Sequence, residues 1–301
     1  MSTMRAARYA RYGGPEVVEI VEVERPEPGP DECLVRLRAA GLNPADVKVR
    51  RGATPVAPLP SGIGREYAGT VEVVGSAVTE FAVGDEVIGT GEWVIGEYAV
   101  TPAGLLAPKP AELPWTWAAS VPVAVQTAAV AVFSQNPGPG DTVLVSAAAG
   151  GVGFFASQYA VRSGARVIGT ASERNHSLLR ELGVEPVSYG PGLADRLKEI
   201  APEGISIVLD HEGQATIEAA LSLGVPRHRI NTISGYSTWY EVEYVARRGM
   251  NRDVVDAITA DLVSGALRMR IEEEFPFEQI QEAYRRLETG HLAGKVVLTF
   301  G

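Results

Sequence analysis

Three glycines raise the first chemical question. In TVLVSAAAGGVGFFASQYA (Thr142–Ala160) a short apolar run gives way to three alanines, then to Gly150, Gly151 and Gly153, before a second, largely apolar segment. A chain that strips its side chains at one point either makes a tight turn or lets another molecule approach its backbone. Between a strand and a helix, such a turn takes a dinucleotide pyrophosphate on the free N–H groups of the helix start, where the helix dipole favours negative charge. Aligned with GxGxxG, the segment reads Ala148-Ala149-Gly150-Gly151-Val152-Gly153, so Ala148 stands where the pattern has its first glycine. Ala149, Gly150, Gly151 and Val152 are the expected pyrophosphate residues, and Gly153 is the one that lets helix and strand pack closely.

The end of the next strand speaks to the ribose. A site selective for NAD has Asp or Glu there, bonded to the 2′-hydroxyl. Here VIGTAS places Ala171 at that point, followed by Ser172, Arg174 and His176. A hydroxyl, a guanidinium and an imidazole suit a 2′-phosphate, because Arg offers charged bidentate donors. NADPH is therefore the expected cofactor. The opposing reading makes Arg174 an exposed helix-start residue, with Glu173 repelling a phosphate.

Metal and thiol chemistry find little support. Cys33 is the single cysteine, so no intramolecular disulfide forms and a reducing, cytoplasmic compartment is expected. It lies in ECLVRLRAA, a strand-like segment, and reads as a small core residue. His176, His211, His228 and His291 are far apart, and no CxxC or HExxH occurs. No metal is expected.

These residues need elements to hold them. The chain has 301 residues, 46% apolar and 21% charged, with a formal charge of −10, which disfavours a nucleic-acid partner. No run of about 20 apolar residues is expected to span a bilayer, and no secretory signal is read at the start. The first hundred residues read as short strands broken by Pro and Gly: VEIVEVERPEPGPDECLVRLRAAGLN, YAGTVEVVGSAV, GDEVIGTGEWVIGEYAV. From Leu113 onward, apolar strands alternate with helical periodicity. DTVLVSA, ARVIGTAS, PVSYG, ISIVLDHEG and RINTISG are five strands; GFFASQYAVRSG, RNHSLLRELG, GLADRLKEIA and QATIEAALSLG are the helices between them. That alternation predicts βαβ units and a parallel sheet. The tail reads as two helices, RDVVDAITADLVSG and FEQIQEAYRRLETG, and a final strand, KVVLTFG.

In this order AAGLNPADVKVRRG (Ala39–Gly52), GREYAGTVEVVGSAVTEFAVGDEVIG (Gly64–Gly89), SAAAGGVG and HLAGKVVL (His291–Leu298) resemble the zinc-independent quinone oxidoreductase branch of the medium-chain dehydrogenase/reductase superfamily. The resemblance covers nearly the whole chain. It implies an α/β protein: a GroES-like β-rich catalytic domain over residues 1–114, completed by 266–301, and a doubly wound Rossmann domain over 115–265, with the active cleft between them. Zinc-dependent relatives carry a cysteine where this chain has NPAD, a histidine where it has Arg65, and a four-cysteine lobe that is absent here. By position only, the resemblance places Thr127 beside the nicotinamide and Tyr189 at the 2′-phosphate, with Ser234 and Lys295 completing the cofactor set. Tyr189 also reads as a strand-end residue packed on the sheet. A homodimer is implied by the family alone.

The implied reaction is metal-free hydride transfer from NADPH to a quinone or an activated enone, with charge developing on the substrate oxygen. Asn43 and Lys48 are the candidate donors to that oxygen, and Asp46 is a candidate to bond a hydroxyl or to order Lys48. NPAD reads equally as a helix cap, with Asn43 or Asp46 holding backbone N–H groups. The family often has a tyrosine after RxG; this chain has Ala53 and Thr54 there, which leaves the proton donor open. Tyr236 and Tyr240 are alternatives. Two further readings are an enoyl-thioester or polyketide-tailoring reductase, and a non-catalytic NADPH-binding structural or sensor protein.

Overall fold

A computed structural model describes residues 2–53, 58–245 and 249–301; Thr54 lies outside the described residues. The chain opens with β1 (Thr3–Tyr9), β2 (Glu19–Glu24), β3 (Glu32–Gly41), helix α1 (Pro44–Arg50), β4 (Ser61–Gly62), β5 (Glu66–Val74), β6 (Glu86–Thr90), β7 (Tyr98–Pro102) and β8 (Leu106–Pro108). Next comes helix α2 (Trp115–Ala118), which passes through a π-helical turn (Val121–Val125) into α3 (Gln126–Gln135). The alternating region is β9 (Thr142–Val145), α4 (Gly153–Arg162), β10 (Arg166–Thr170), α5 (His176–Glu181), β11 (Glu185–Val187), α6 (Leu193–Ile200), β12 (Ile207–Asp210), α7 (Gln214–Ser222), β13 (Ile230–Thr232), α8 (Ser237–Tyr240) and β14 (Glu243–Tyr244). The tail is α9 (Arg252–Val263), β15 (Ile271–Pro276), α10 (Ile280–Glu288) and β16 (Lys295–Thr299).

The chain forms two compact units. One comprises Met1–Ala124, Arg248–Gly290 and Lys295–Gly301; the other comprises Val125–Arg247 and His291–Gly294. The boundaries expected at 115 and 265 are thus both displaced. α2 packs on β3 and β5, and α9 packs on β8, so both segments join the first unit. Residues 291–294 leave it, because Gly294 N–H bonds Ala149 O at 2.8 Å.

In the first unit, one sheet runs β15-β16-β3-β5-β6-β8, with β7 also paired to β3, and a second runs β2-β1-β4. β3 is flanked by β5, β7 and β16, and most of its residues are buried. In the second unit, the sheet order is β11-β10-β9-β12-β13-β14, every pair parallel. In chain order that is 3-2-1-4-5-6, the doubly wound dinucleotide-binding arrangement, with its switch point between β9 and β12. TVLV of β9 and IVLD of β12 are buried throughout, as strands covered on both faces must be. Gly164, Gly183 and Gly224 follow α4, α5 and α7 with φ of 86°, 78° and 83°, the left-handed stop expected at helix ends.

Besides the short helix α8, three elements escaped the sequence reading. β14 is two exposed residues at the sheet edge. β15 reads IEEEFP, and its three glutamates conceal an edge strand, where charge discourages stray pairing. The third is the helix Trp115–Gln135: over 21 residues it is long and apolar enough to cross a bilayer, contrary to the expectation that no run approaches that length. Its most apolar window is 72% buried in the protein, as in the core helix of a folded domain.

Candidate functional site

In the second unit, the glycine turn follows β9 and opens α4. Ala147 takes the left-handed backbone (φ 47°), and its N–H bonds Thr170 Oγ1 at 3.0 Å. Ala148, at the first-glycine position, is buried, and its N–H bonds Thr170 O at 2.9 Å. A Cβ on Gly169 would come within 2.6 Å of the Ala148 Cβ, so the methyl present on the turn is matched by bare backbone on β10. A Cβ on Gly153 would come within 2.2 Å of Ala147 O, which only glycine avoids. At Gly150 the same test gives 3.3 Å to Ala147 O, tight but not prohibitive. Ala149 is buried, and Gly150, Gly151 and Val152 are partly exposed at the helix start.

β10 ends without an acid. Ala171 is buried, with its N–H bonded to Val187 O at 3.0 Å. Beyond it, Arg174 is exposed, Ser172 Oγ is buried without a hydrogen-bond partner among the described residues, and His176 Nε2 lies 3.3 Å from Ala171 O. Tyr189 lies just past β11; its ring is not packed on the sheet but is exposed and hydrogen-bonded to His291 Nδ1 at 2.5 Å. Thr127 is buried on α3.

The carboxyl ends of β9, β12 and β13 are tied by a carboxylate that sequence reasoning missed. Asp210 Oδ1 accepts from Ser146 Oγ (2.8 Å) and Gly213 N–H (3.0 Å), and Oδ2 from Thr232 Oγ1 (2.6 Å). Thr232 having given its proton, Ser234 donates to Thr232 Oγ1 at 2.7 Å, which leaves the Ser234 hydroxyl only its lone pairs. The available signal was an acid closing the buried run IVLD. Next to it, burial lowers His211 to about 4, so the ring is neutral at physiological pH, and its Nε2 is buried without a partner among the described residues. Tyr240 donates to Glu218 at 2.7 Å, and that hydrogen bond raises its pKa, which makes it a poorer acid; Tyr236 lies half-exposed beside Gly213.

In the first unit, α1 is anchored to α10 by Arg50, which pairs with Glu288 and lies 5.2 Å from the centre of the Tyr284 ring. At the start of α1, Asp46 supplies the cap, accepting the Asn43 N–H at 2.9 Å. Asn43 instead turns its side chain to an ion pair: Nδ2 donates to Glu66 Oε1 (2.8 Å), and Oδ1 accepts from Lys295 (2.7 Å). Lys295 also donates to Glu66 Oε1 (2.7 Å) and Leu42 O (2.8 Å). The π turn directs Val123 N–H at Glu66 Oε2, 2.8 Å away.

Three expectations are corrected here. All three Lys295 protons are committed within this unit and the residue is 3% exposed, so none remains for a phosphate. Asn43 is a buried link in the same network rather than a free donor. Asp46 does not order Lys48, because residues two apart on a helix point to different sides; its neighbour is Arg65 at 3.8 Å, while Lys48 is exposed. Burial lifts the Asp46 carboxyl to about 7 against the pull of the Asn43 N–H and Arg65, and its Oδ1 has no hydrogen-bond partner among the described residues.

A β-rich unit with a buried ion pair and a doubly wound unit with a glycine turn together define a two-domain dinucleotide-dependent class. Comparison with known proteins agrees. Residues 29–111 match the alcohol dehydrogenase GroES-like domain, and residues 182–298 match the zinc-binding dehydrogenase family. The quinone oxidoreductase of Pseudomonas aeruginosa is 32% identical over 320 residues, covering 97% of this chain and 98% of its own. The chloroplastic NADPH-dependent alkenal/one oxidoreductase of Arabidopsis thaliana is 31% identical, covering 98% of this chain and 79% of its own. The structure of Escherichia coli quinone oxidoreductase complexed with NADPH superposes with a TM-score of 0.87 at 26% identity, covering 99% of this chain and 100% of that one. The chain belongs to the medium-chain dehydrogenase/reductase superfamily and is of the quinone oxidoreductase type.

Zinc, which one of the matched family descriptions implies, does not fit the residues present. The Lys295 ammonium sits 2.7 Å from Glu66 Oε1, and both Glu66 oxygens are already bonded. Among the described residues, no three His, Cys, Asp or Glu side chains gather as a metal-holding group.

Proposed function

We propose that the protein transfers hydride from NADPH to a quinone or to the C=C bond of an activated enone, without a metal. The observation that carries this reading is the end of β10: in a doubly wound sheet with a glycine turn, buried Ala171 stands where an acid would select NAD, followed by Ser172 and exposed Arg174. NADPH supplies the hydride when bound. The N–H groups of Gly150, Gly151 and Val152 hold the pyrophosphate, and Arg174 holds the 2′-phosphate, with Tyr189 beside it. Lys48, exposed on α1, balances charge developing on the substrate oxygen. Asn43, Glu66 and Lys295 are positioning residues that fix the start of α1. We include in this reading a cytoplasmic homodimer.

A quinone suits a site without a strong acid, because solvent can protonate its reduced oxygens. A simple enoyl thioester leaves a more basic enolate, and a well-placed acid is worth about 10²–10⁴-fold in rate. The test is NADPH oxidation with quinones, enones and enoyl thioesters, alongside titration with NADPH and NADH. We expect NADPH to bind more tightly, Arg174→Ala to weaken NADPH far more than NADH, and kcat/KM for a para-quinone to exceed that for a crotonyl thioester. Equal affinity for the two cofactors overturns the NADPH assignment. Binding without turnover on any acceptor turns the reading to a sensor.

A further inference from the structure

We propose that His291 belongs to the 2′-phosphate subsite, where the phenol of Tyr189 holds its ring and its Nε2–H is a donor to the phosphate. This rests on the NADPH reading above. The Tyr189 hydroxyl meets His291 Nδ1 at 2.5 Å, and the two rings are nearly parallel (11°) with centres 6.0 Å apart. A neutral imidazole that accepts a hydrogen bond at Nδ1 carries its proton on Nε2. In the proposed arrangement the phenol donates its single proton to Nδ1, which leaves the ring's other nitrogen as the donor. Both residues are exposed, so the pair is not core packing.

Two further features place the pair at the nucleotide site. Thr170 of β10 pairs with Val187 of β11. Ser172 and Tyr189 each lie two residues beyond that pair, at the same end of adjacent parallel strands. His291 is held to that end by its own segment: Gly294 N–H bonds Ala149 O at 2.8 Å, and Gly294 bridges Gly150, so the segment lies along the glycine turn. His291 also keeps a left-handed backbone (φ 55°), which His, Asn and Asp adopt more readily than other side-chain-bearing residues. A ring is thus held against a phenol, beside the phosphate-binding turn. With Arg174 and the buried, unbonded Ser172 Oγ, its Nε2–H makes a third donor for a dianionic phosphate monoester, and the phenol holds the ring.

Calorimetric titration of the whole chain with 2′,5′-ADP, 5′-AMP, NADPH and NADH tests this, comparing the unaltered protein with His291→Asn. Asparagine tolerates the left-handed backbone but is too short to hold the phenol. We expect 2′,5′-ADP and NADPH to weaken about tenfold, as for loss of one charge-assisted hydrogen bond, while 5′-AMP and NADH are unchanged. Tyr189→Phe should lower the same two affinities, and the double variant should lose less than the two single losses combined, because the residues act as a pair. Undiminished NADPH affinity, or equal weakening of all four ligands, overturns the role of His291. Should His291→Asn fail to fold, His291→Gln faces the same comparison and the same two outcomes. Failure of the unaltered protein to prefer 2′,5′-ADP over 5′-AMP is a different result, and it overturns the NADPH reading itself.

Discussion

Asp46 shows how a single residue type changes meaning with its surroundings. In NPADVKVR it reads equally as a helix cap and as a chemical group. The structure makes it the cap, then buries it so deeply that its acid is lifted from an ordinary 3.8 to about 7. Below pH about 4 it is neutral in the folded and unfolded chain alike. Between pH about 4 and 7 the unfolded chain gives up this proton while the folded chain keeps it, so stability falls as pH rises through that window and is level above it. Asp46→Asn keeps an acceptor for the Asn43 N–H and removes the titration. We expect the Tm of Asp46→Asn minus that of the unaltered protein to grow between pH 4 and 7. A difference constant with pH would remove Asp46 as the cause. The left-handed Ala147 and the missing free proton on Lys295 were equally invisible in sequence, since both follow from neighbours distant in the chain.

Elements explain why the ion pair sits where it does. Glu66 opens β5, Lys295 opens β16, Asn43 precedes α1, and Val123 lies in the π turn between α2 and α3. A buried pair of charges adds little net stability, but removing one partner leaves the other unpaired and typically costs about 3–5 kcal/mol. Lys295→Met should therefore lower the unfolding free energy by about that amount, and Lys295→Met combined with Glu66→Gln should recover most of it; denaturant titration checks both. No recovery in the double variant would mean that packing of the lysine stem, rather than stranded charge, sets the loss. The alternating elements of the second unit were legible because buried parallel strands are continuous apolar runs and their helices stop at glycines. β14 and β15 were not, because edge strands carry neither signal.

For the molecule as a whole, the superfamily was legible from several separated motifs in a fixed order, and both folds followed from it. The boundaries were not, because α2 and α9 are assigned by what they pack on and not by their own composition. Among the described residues no His, Cys, Asp or Glu group gathers to hold zinc, which leads to a measurement on the intact protein: elemental analysis should find no stoichiometric zinc, and a chelator should leave NADPH oxidation unchanged. One tightly held zinc per chain would contradict the ion pair as drawn.

The pairing of β16 with β3 also has a consequence in time. Lys295 reaches back 252 residues to Asn43, and Ala39, Ala40 and Gly41 have β16 as their neighbour on one side. On a ribosome adding about 5–20 residues per second, those three residues wait roughly 10–50 s for that partner, while the rest of this side of β3 already has β7. Every strand of the second unit is made during the interval. A newborn chain thus carries a short apolar stretch, Ala39–Gly41, without its last partner until β16 is made, which is the period when a chaperone binding extended apolar segments would have something to hold.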